Sequence, residues 1–219
     1  VGAYENDDNG INSGQTRVYQ YNGNTWNKIG QDINGVLSHS QSGKSVSLSS
    51  DGYTLAIGSP GYNNQNGHVR IYSFDGNLWN QLGNNIIGSG LKRSGQSVSL
   101  NSDGNIVAIG APAIGGNDTG YVRIYNWNGT FWNQLGQDIE GEEGGDQSGW
   151  SISLNNNGYA VAIGAYANSG NIGHVRIFNY DGSTWNQLGI DIDGEAVDDL
   201  SGHSVSISGS GSVIAIGAH

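Results

Sequence analysis

Few groups in this 219-residue chain can do chemistry: 19 carboxylates, 8 basic residues, 5 histidines and no cysteine. The carboxylates gather in two stretches, DIEGEEGGD at 138–146 and DIDGEAVDD at 191–199, while the corresponding DINGVLSHS and NIIGSGLKR are far less acidic. Asp191, Asp193 and Glu195 alternate at the spacing of oxygen ligands in a calcium loop. Calcium is therefore the one cofactor the sequence puts forward, against a plainly solvated acidic loop. Asp7 and Asp8 in ENDDNG form a third cluster with the same two readings.

Half of the basic residues recur at one place, Arg17, Arg70, Arg123 and Arg176, each 53 residues from the next. In VRIY, strand alternation sends Arg123 and Tyr125 to one side and Val122 and Ile124 to the other. A structural role predicts a guanidinium stacked on a ring and forked onto Asp32, Asp138 or Asp191. The second unit has Asn85 there, which predicts a weaker anchor. A functional role predicts four arginines receiving an anionic ligand or glycan. Trp127 and Trp150 replace residues such as Phe74 and Gln96 of other units, and are the candidates for exposed, sugar-stacking aromatics.

His68 and His174 share the register before VRI and read as exposed, inert strand residues. No pair of histidines has a metal-ligand spacing such as His-x-x-x-His. The serines of SVSL read as polar positions on an alternating strand. No G-x-S-x-G elbow, P-loop or Rossmann fingerprint occurs, and the loop-borne carboxylates do not form a glycosidase pair. The chain reads as a non-enzyme.

The elements that hold these residues repeat. Trp26, Trp79, Trp132 and Trp185 are also 53 residues apart, inside WNKIG once and WNQLG three times. A second block reads SGKSVSLSSDGYTLAIGSP, SGQSVSLNSDGNIVAIGAP, SGWSISLNNNGYAVAIGAY and SGHSVSISGSGSVIAIGAH. Each unit predicts four strands: an alternating SVSL-type strand, a DG-type turn, a continuous apolar AIGAP-type strand, a VRIY strand after a variable loop, and the WNQLG strand. Repeated four-stranded units of this length predict an all-β fold, a β-propeller of four-stranded antiparallel blades. The small residues of AIGAP suit the crowded strand nearest the axis, and the aromatics of WNQLG an outer strand. The units run about 1–41, 42–93, 94–147, 148–200 and 201–219, the first and last being partial blades of one domain.

The stretch SGQSVSLNSDGNIVAIGAPAIGGNDTGYVRIY resembles the FG-GAP repeat of integrin-α-type β-propellers, and the resemblance spans all four units. It implies an extracellular, ligand-binding propeller, often of seven blades. The family's D-x-D-x-D-G calcium loop lies between the first two strands. Here that place holds only SSDG, NSDG, NNNG or SGSG, too short for six to eight oxygens, so those sites do not carry over.

The net charge of −11 argues against nucleic acid and anionic membrane surfaces as partners, and no apolar run reaches membrane-span length. A chain opening without Met reads as a mature chain or a fragment. Its ends, VGAY and IGAH, occupy the same place in the repeat, so two outcomes are open. One is a four-bladed ring closed by residues 201–219 and 14–37 in one blade. The other is part of a larger ring or array, continued covalently if this is a fragment or by self-association through its blade edges or termini. Abundant Asn and Ser with variable loops after the AIGAP segments predict a secreted or cell-surface module of adhesion or fibre type, binding a protein or glycan. The alternative is a carbohydrate-binding lectin with repeated sites. Sequons stand at Asn117 and Asn128.

Overall fold

The computed structural model describes residues 1–113 and 118–219; the sequon at Asn117 lies outside them. Five antiparallel sheets follow one another along the chain. The first holds β1 (Gly2–Ala3), β2 (Gln15–Tyr21) and β3 (Trp26–Asn34). The second holds β4 (Ser45–Leu48), β5 (Thr54–Ser59), β6 (His68–Phe74), β7 (Trp79–Gln81) and β8 (Ile86–Ile87). The third repeats it as β9 (Ser97–Leu100), β10 (Ile106–Ala111), β11 (Tyr121–Trp127), β12 (Trp132–Gln134) and β13 (Ile139–Glu140). The fourth does so as β14 (Ser151–Leu154), β15 (Ala160–Ala165), β16 (His174–Tyr180), β17 (Trp185–Gln187) and β18 (Ile192–Asp193). The fifth is the hairpin β19 (Ser204–Ile207) and β20 (Ile214–Gly217). Three whole blades are thus flanked by a first that begins at its second strand and a fifth that ends there.

The turns explain themselves locally. Between the third and fourth strands, the side-chain oxygen of Asn22, Asp75, Asn128 or Asp181 accepts the backbone N–H groups two and three residues on. This is the local bonding that makes Asn and Asp turn residues. The glycine after each one has positive φ.

The inner strand is the serine strand: β4, β9, β14 and β19 lie side by side. AIGAP is the second strand, not the axial one that its small residues suggested. Its glycines are small for another reason. A Cβ on Gly58, Gly110 or Gly164 would strike the carbonyl of Gly95, Gly149 or Gly202 in the following blade. The serines stitch the inner strands together. Ser45, Ser97 and Ser151 donate to those same three carbonyls at 2.7–2.8 Å. Ser47, Ser99 and Ser153 accept the backbone N–H of Leu100, Leu154 and Ile207 at 2.9–3.1 Å.

The core lies between blades rather than within them. One slab joins Val18 and Ile33 of the first blade to Leu55, Ile57, Tyr72 and Trp79 of the second. Another joins Ala56, Val69 and Ile71 to Val98, Leu100, Val107 and Ile109. Strand alternation gives each blade two apolar faces, so Ala56 and Ile57 serve opposite interfaces. The tryptophans lock neighbours. The indole N–H groups of Trp79, Trp132 and Trp185 donate to Ile29 O, Leu82 O and Leu135 O, each in the preceding blade. Gln31 and Gln137 add a two-way clamp on the backbone of Trp79 and Trp185.

The arc is open. Residues 201–219 and 14–37 form separate sheets instead of sharing one blade. Trp26 is 68% exposed where Trp79 is 2% exposed, and Leu48 is 47% exposed where Leu100 is 7% exposed. No helix among the described residues is long and apolar enough to cross a membrane.

Candidate metal centre

The four arginines do not form one ring of equivalent sites. In the first and third blades they follow the structural expectation. Arg17 Nε donates to Asp32 at 3.0 Å, and Arg123 forks onto Asp138 with bonds of 2.8–3.0 Å while its guanidinium lies 4.2 Å from the Tyr121 ring. Hydrogen bonds from Lys28 and Arg17 hold the Asp32 carboxyl below its ordinary range, and the bond from Arg123 does the same for Asp138. In the second and fourth blades the guanidinium turns to the preceding blade. Arg70 donates to Asn34 O at 2.8 Å and Ser42 Oγ at 3.1 Å, and Arg176 donates to Glu140 O at 2.7 Å. Arg70 is buried, so the second blade exchanges its missing carboxylate for an anchor across the interface.

The alternation follows one residue. Blades that turn their arginine to the preceding blade carry His68 or His174 two residues earlier, where the others carry Gln15 or Tyr121. Both histidines are fully buried, contrary to the exposed reading, because this register faces the seam with the preceding blade. At His68 the Tyr62 ring packs 4.0 Å away. Burial, aided by the Arg70 charge, pushes its imidazole down to about 3.

At His174 the same pocket is acidic. Nδ1 stands 3.7 Å from Asp191 Oδ2 and 4.0 Å from Glu142 Oε2. These three donor atoms lie within 4.8 Å of one another, the one such cluster of His, Cys, Asp or Glu among the described residues. The other oxygen of each carboxylate is anchored. Gln187 Nε2 donates to Asp191 Oδ1 at 2.6 Å, and Arg176 Nη1 is 3.4 Å from Glu142 Oε1. One oxygen of each is thereby held and the second left aimed at the imidazole, the outer-shell arrangement that orients metal ligands. Among the described residues His174 makes no side-chain hydrogen bond, and its Nε2 is buried without a partner.

The internal repeat supplies the comparison. The registers of Glu142, His174 and Asp191 hold Val36, His68 and Asn85 two interfaces away, and Ser89, Tyr121 and Asp138 at the interface between. Only the seam of the third and fourth blades has a ligand at all three. The calcium trio expected from sequence is not brought together by the described residues: Asp191 joins the cluster, but Asp193 and Glu195 do not. Glu195 stands at Glu142's register and so belongs to the next seam. Its loop is closed by Asp199, which accepts the N–H groups of Glu195 and Ala196. A sequence search by spacing misses the cluster because its members are 32 and 17 residues apart and belong to two blades.

The aromatic candidates are used by the fold. Trp127 packs on Trp132 with centroids 5.4 Å apart and covers Gly83 of the preceding blade. Trp150 packs edge-on against Tyr166 and lies 5.8 Å from His203.

Solved structures with a similar arrangement include a protein of unknown function from Desulfotomaculum acetoxidans, with a TM-score of 0.62 at 14% identity. Its match covers 94% of this chain and 56% of that one. The Kuenenia stuttgartiensis hydrazine synthase matches with a TM-score of 0.56 at 15% identity, over 88% of this chain and 62% of that one. A candidate 6-phosphogluconolactonase from Bacteroides uniformis matches at 0.54 and 13%, over 78% and 46%.

The fold is that of a β-propeller. No family model and no curated protein matches the chain. This propeller spans about half to three-fifths of the solved chains it resembles, and identities this low carry the fold alone. Propellers of this shape include a synthase and a candidate lactonase. That corrects the expectation of a non-enzymatic adhesion or fibre-type module, and its lectin alternative, which rested on linking the fold to extracellular binding.

Proposed function

We propose that this propeller binds a divalent first-row transition metal ion at the seam of its third and fourth blades, through His174 Nδ1, Asp191 Oδ2 and Glu142 Oε2. The observation that carries the reading is a fully buried imidazole without a hydrogen bond, faced by two carboxylate oxygens at 3.7 and 4.0 Å. Those distances are too long for hydrogen bonds. They suit a shared ion: donors about 2.0–2.2 Å from a metal stand about 3.4 Å apart at the tetrahedral angle. One nitrogen with two oxygens favours zinc, manganese or cobalt over calcium, which takes oxygen ligands. Glu142 is half-exposed, which leaves an entry path and room for water or a ligand on the ion.

The blade sequence supports kinship with FG-GAP repeats through its AIGAP and GxVRIY strands, without that family's calcium loop. Calorimetric titration with Zn2+ tests the metal reading. One site per chain is expected, at least tenfold weaker in His174→Ala and Asp191→Asn and unchanged in His68→Ala. His203→Ala serves as the background, since His203 and His219 lie 5.3 Å apart and offer an unrelated imidazole pair. Equal binding by His174→Ala, or no binding by the parent chain, overturns the assignment.

A further inference from the structure

The seam between the first and second blades has the framework of the candidate metal centre without its acidic groups. His68 and Arg70 stand at the registers of His174 and Arg176. Arg70 donates to Asn34 O at 2.8 Å, as Arg176 does to Glu140 O at 2.7 Å. Both carboxylates of the other seam are replaced: Val36 takes the register of Glu142, and Asn85 that of Asp191. Asn85 keeps the anchoring bond. Its Oδ1 accepts Gln81 Nε2 at 2.9 Å, as Asp191 Oδ1 accepts Gln187 Nε2 at 2.6 Å. The shared register thus puts Asn85 Nδ2, a donor, in the place of Asp191 Oδ2.

What is left is a buried cation without a counter-charge. Arg70 is 5% exposed, and a guanidinium does not give up its proton. No carboxylate among the described residues forms an ion pair with it. Its contacts are the neutral oxygens of Asn34 and Ser42 and the Tyr72 ring, 5.6 Å away. Buried charges are ordinarily paired, because the loss of water is otherwise uncompensated. Arg70 Nε and His68 Nδ1 are also buried here without a hydrogen bond.

The repeat shows the form of the missing partner. In the other seam one carboxylate, that of Glu142, stands with Oε1 3.4 Å from Arg176 Nη1 and Oε2 4.0 Å from His174 Nδ1. Only the position of Glu142 is borrowed, with or without a metal ion beside it. The interface between the second and third blades needs no such partner, because Arg123 is forked onto Asp138. Val36, like Glu142, is half-exposed, so the position opens outward. Residues 37–41 of the first blade and 61–65 of the second border a cleft of about 440 Å3, lined by His39 and Arg93 and by no carboxylate.

We propose that this seam binds a small carboxylate anion, one oxygen on the Arg70 guanidinium and the other on His68 Nδ1–H, in the place that the Glu142 side chain fills two seams away. A neutral imidazole holding its proton on Nδ1 is a donor there. A planar acceptor with two oxygens matches the guanidinium fork.

The test uses formate, the smallest such anion, and follows the histidine imidazoles by NMR at pH 7. The protein is stripped of metal on a chelating resin, and Hepes keeps the ionic strength constant. The His68 signal, assigned by its loss in His68→Gln, is expected to shift saturably with one site per chain. Chloride, which offers a single atom, is expected to bind at least tenfold more weakly. Val36→Glu, at a half-exposed position whose counterpart already carries glutamate, supplies the carboxylate internally. It is expected to abolish the response and to raise the melting temperature without formate. Asn85→Asp places a carboxylate in the same seam and is expected to weaken formate at least tenfold. No saturable shift of His68, an equal response to chloride, or an undiminished response in either variant overturns the proposal.

Discussion

At the scale of single residues, the repeat makes each position its own control. Gly136 and Gly189 share a register and a positive φ of 74° and 79°. They differ in what they touch: a Cβ on Gly136 would stand 2.8 Å from the Trp185 ring, while one on Gly189 meets nothing. Both Ala variants carry backbone strain of about 1 kcal/mol, and only Gly136→Ala adds an overpacking cost of about 1–3 kcal/mol. Urea denaturation should show Gly136→Ala as clearly less stable than Gly189→Ala. Equal losses would mean that the indole does not seat there. The tryptophan period was legible in the sequence, but its direction was not: the same spacing serves a residue that locks its own blade or the one before. Seating depends on the glycine four residues past the preceding tryptophan, and nothing local in the chain links the two. The grouping of Glu142, His174 and Asp191 was hidden likewise, because strand alternation says which face His174 takes but not which neighbouring loop covers it.

At the scale of strands, the serines of SVSL show how far alternation reaches. The pattern placed the turns and the doubly covered AIGAP neighbour, but the single WNQLG strand it predicts is split into two short strands in the second to fourth blades. It could not distinguish a serine facing water from one bonded to the next blade, since both satisfy a polar position. The distinction has a measurable energy. Ser153→Ala leaves the N–H of Ile207 without its acceptor in a part-buried seam, which costs about 1–3 kcal/mol. Ser212→Ala, on an exposed turn bonded only to Ser210, should stay within about 0.5 kcal/mol of the parent. The same reasoning explains the misplaced axis. Small residues mark close approach between backbones, and here the approach is sideways, blade to blade, rather than inward to a pore.

At the scale of the whole molecule, hydrogen-bonded carboxylates and one seam histidine shape how the protein responds to acid. Asp32, Asp75, Asp138 and Asp181 all titrate below their ordinary value in the folded chain. A depressed folded value means stabilisation that is complete above the unfolded value of about 3.9 and is lost as pH falls through the folded one. His68 has the same sign at a higher pH. The unfolded imidazole takes a proton near 6.5, whereas burial beside Arg70 delays it to about 3 in the fold. Stability from this group is therefore full above 6.5 and declines toward pH 3, with a slope of at most about 1.4 kcal/mol per pH unit. Self-repulsion works the other way, because the net charge of −11 shrinks toward the isoelectric point near 4.5. The carboxylates barely titrate between pH 6.5 and 5, so that window reports on imidazoles, His68 among them. His68→Gln, borrowing the residue that the first blade carries at this register, should flatten the melting temperature across it. If His68→Gln instead keeps the parent slope, the proton is taken up elsewhere and the seam at His68 is wetter than its burial indicates.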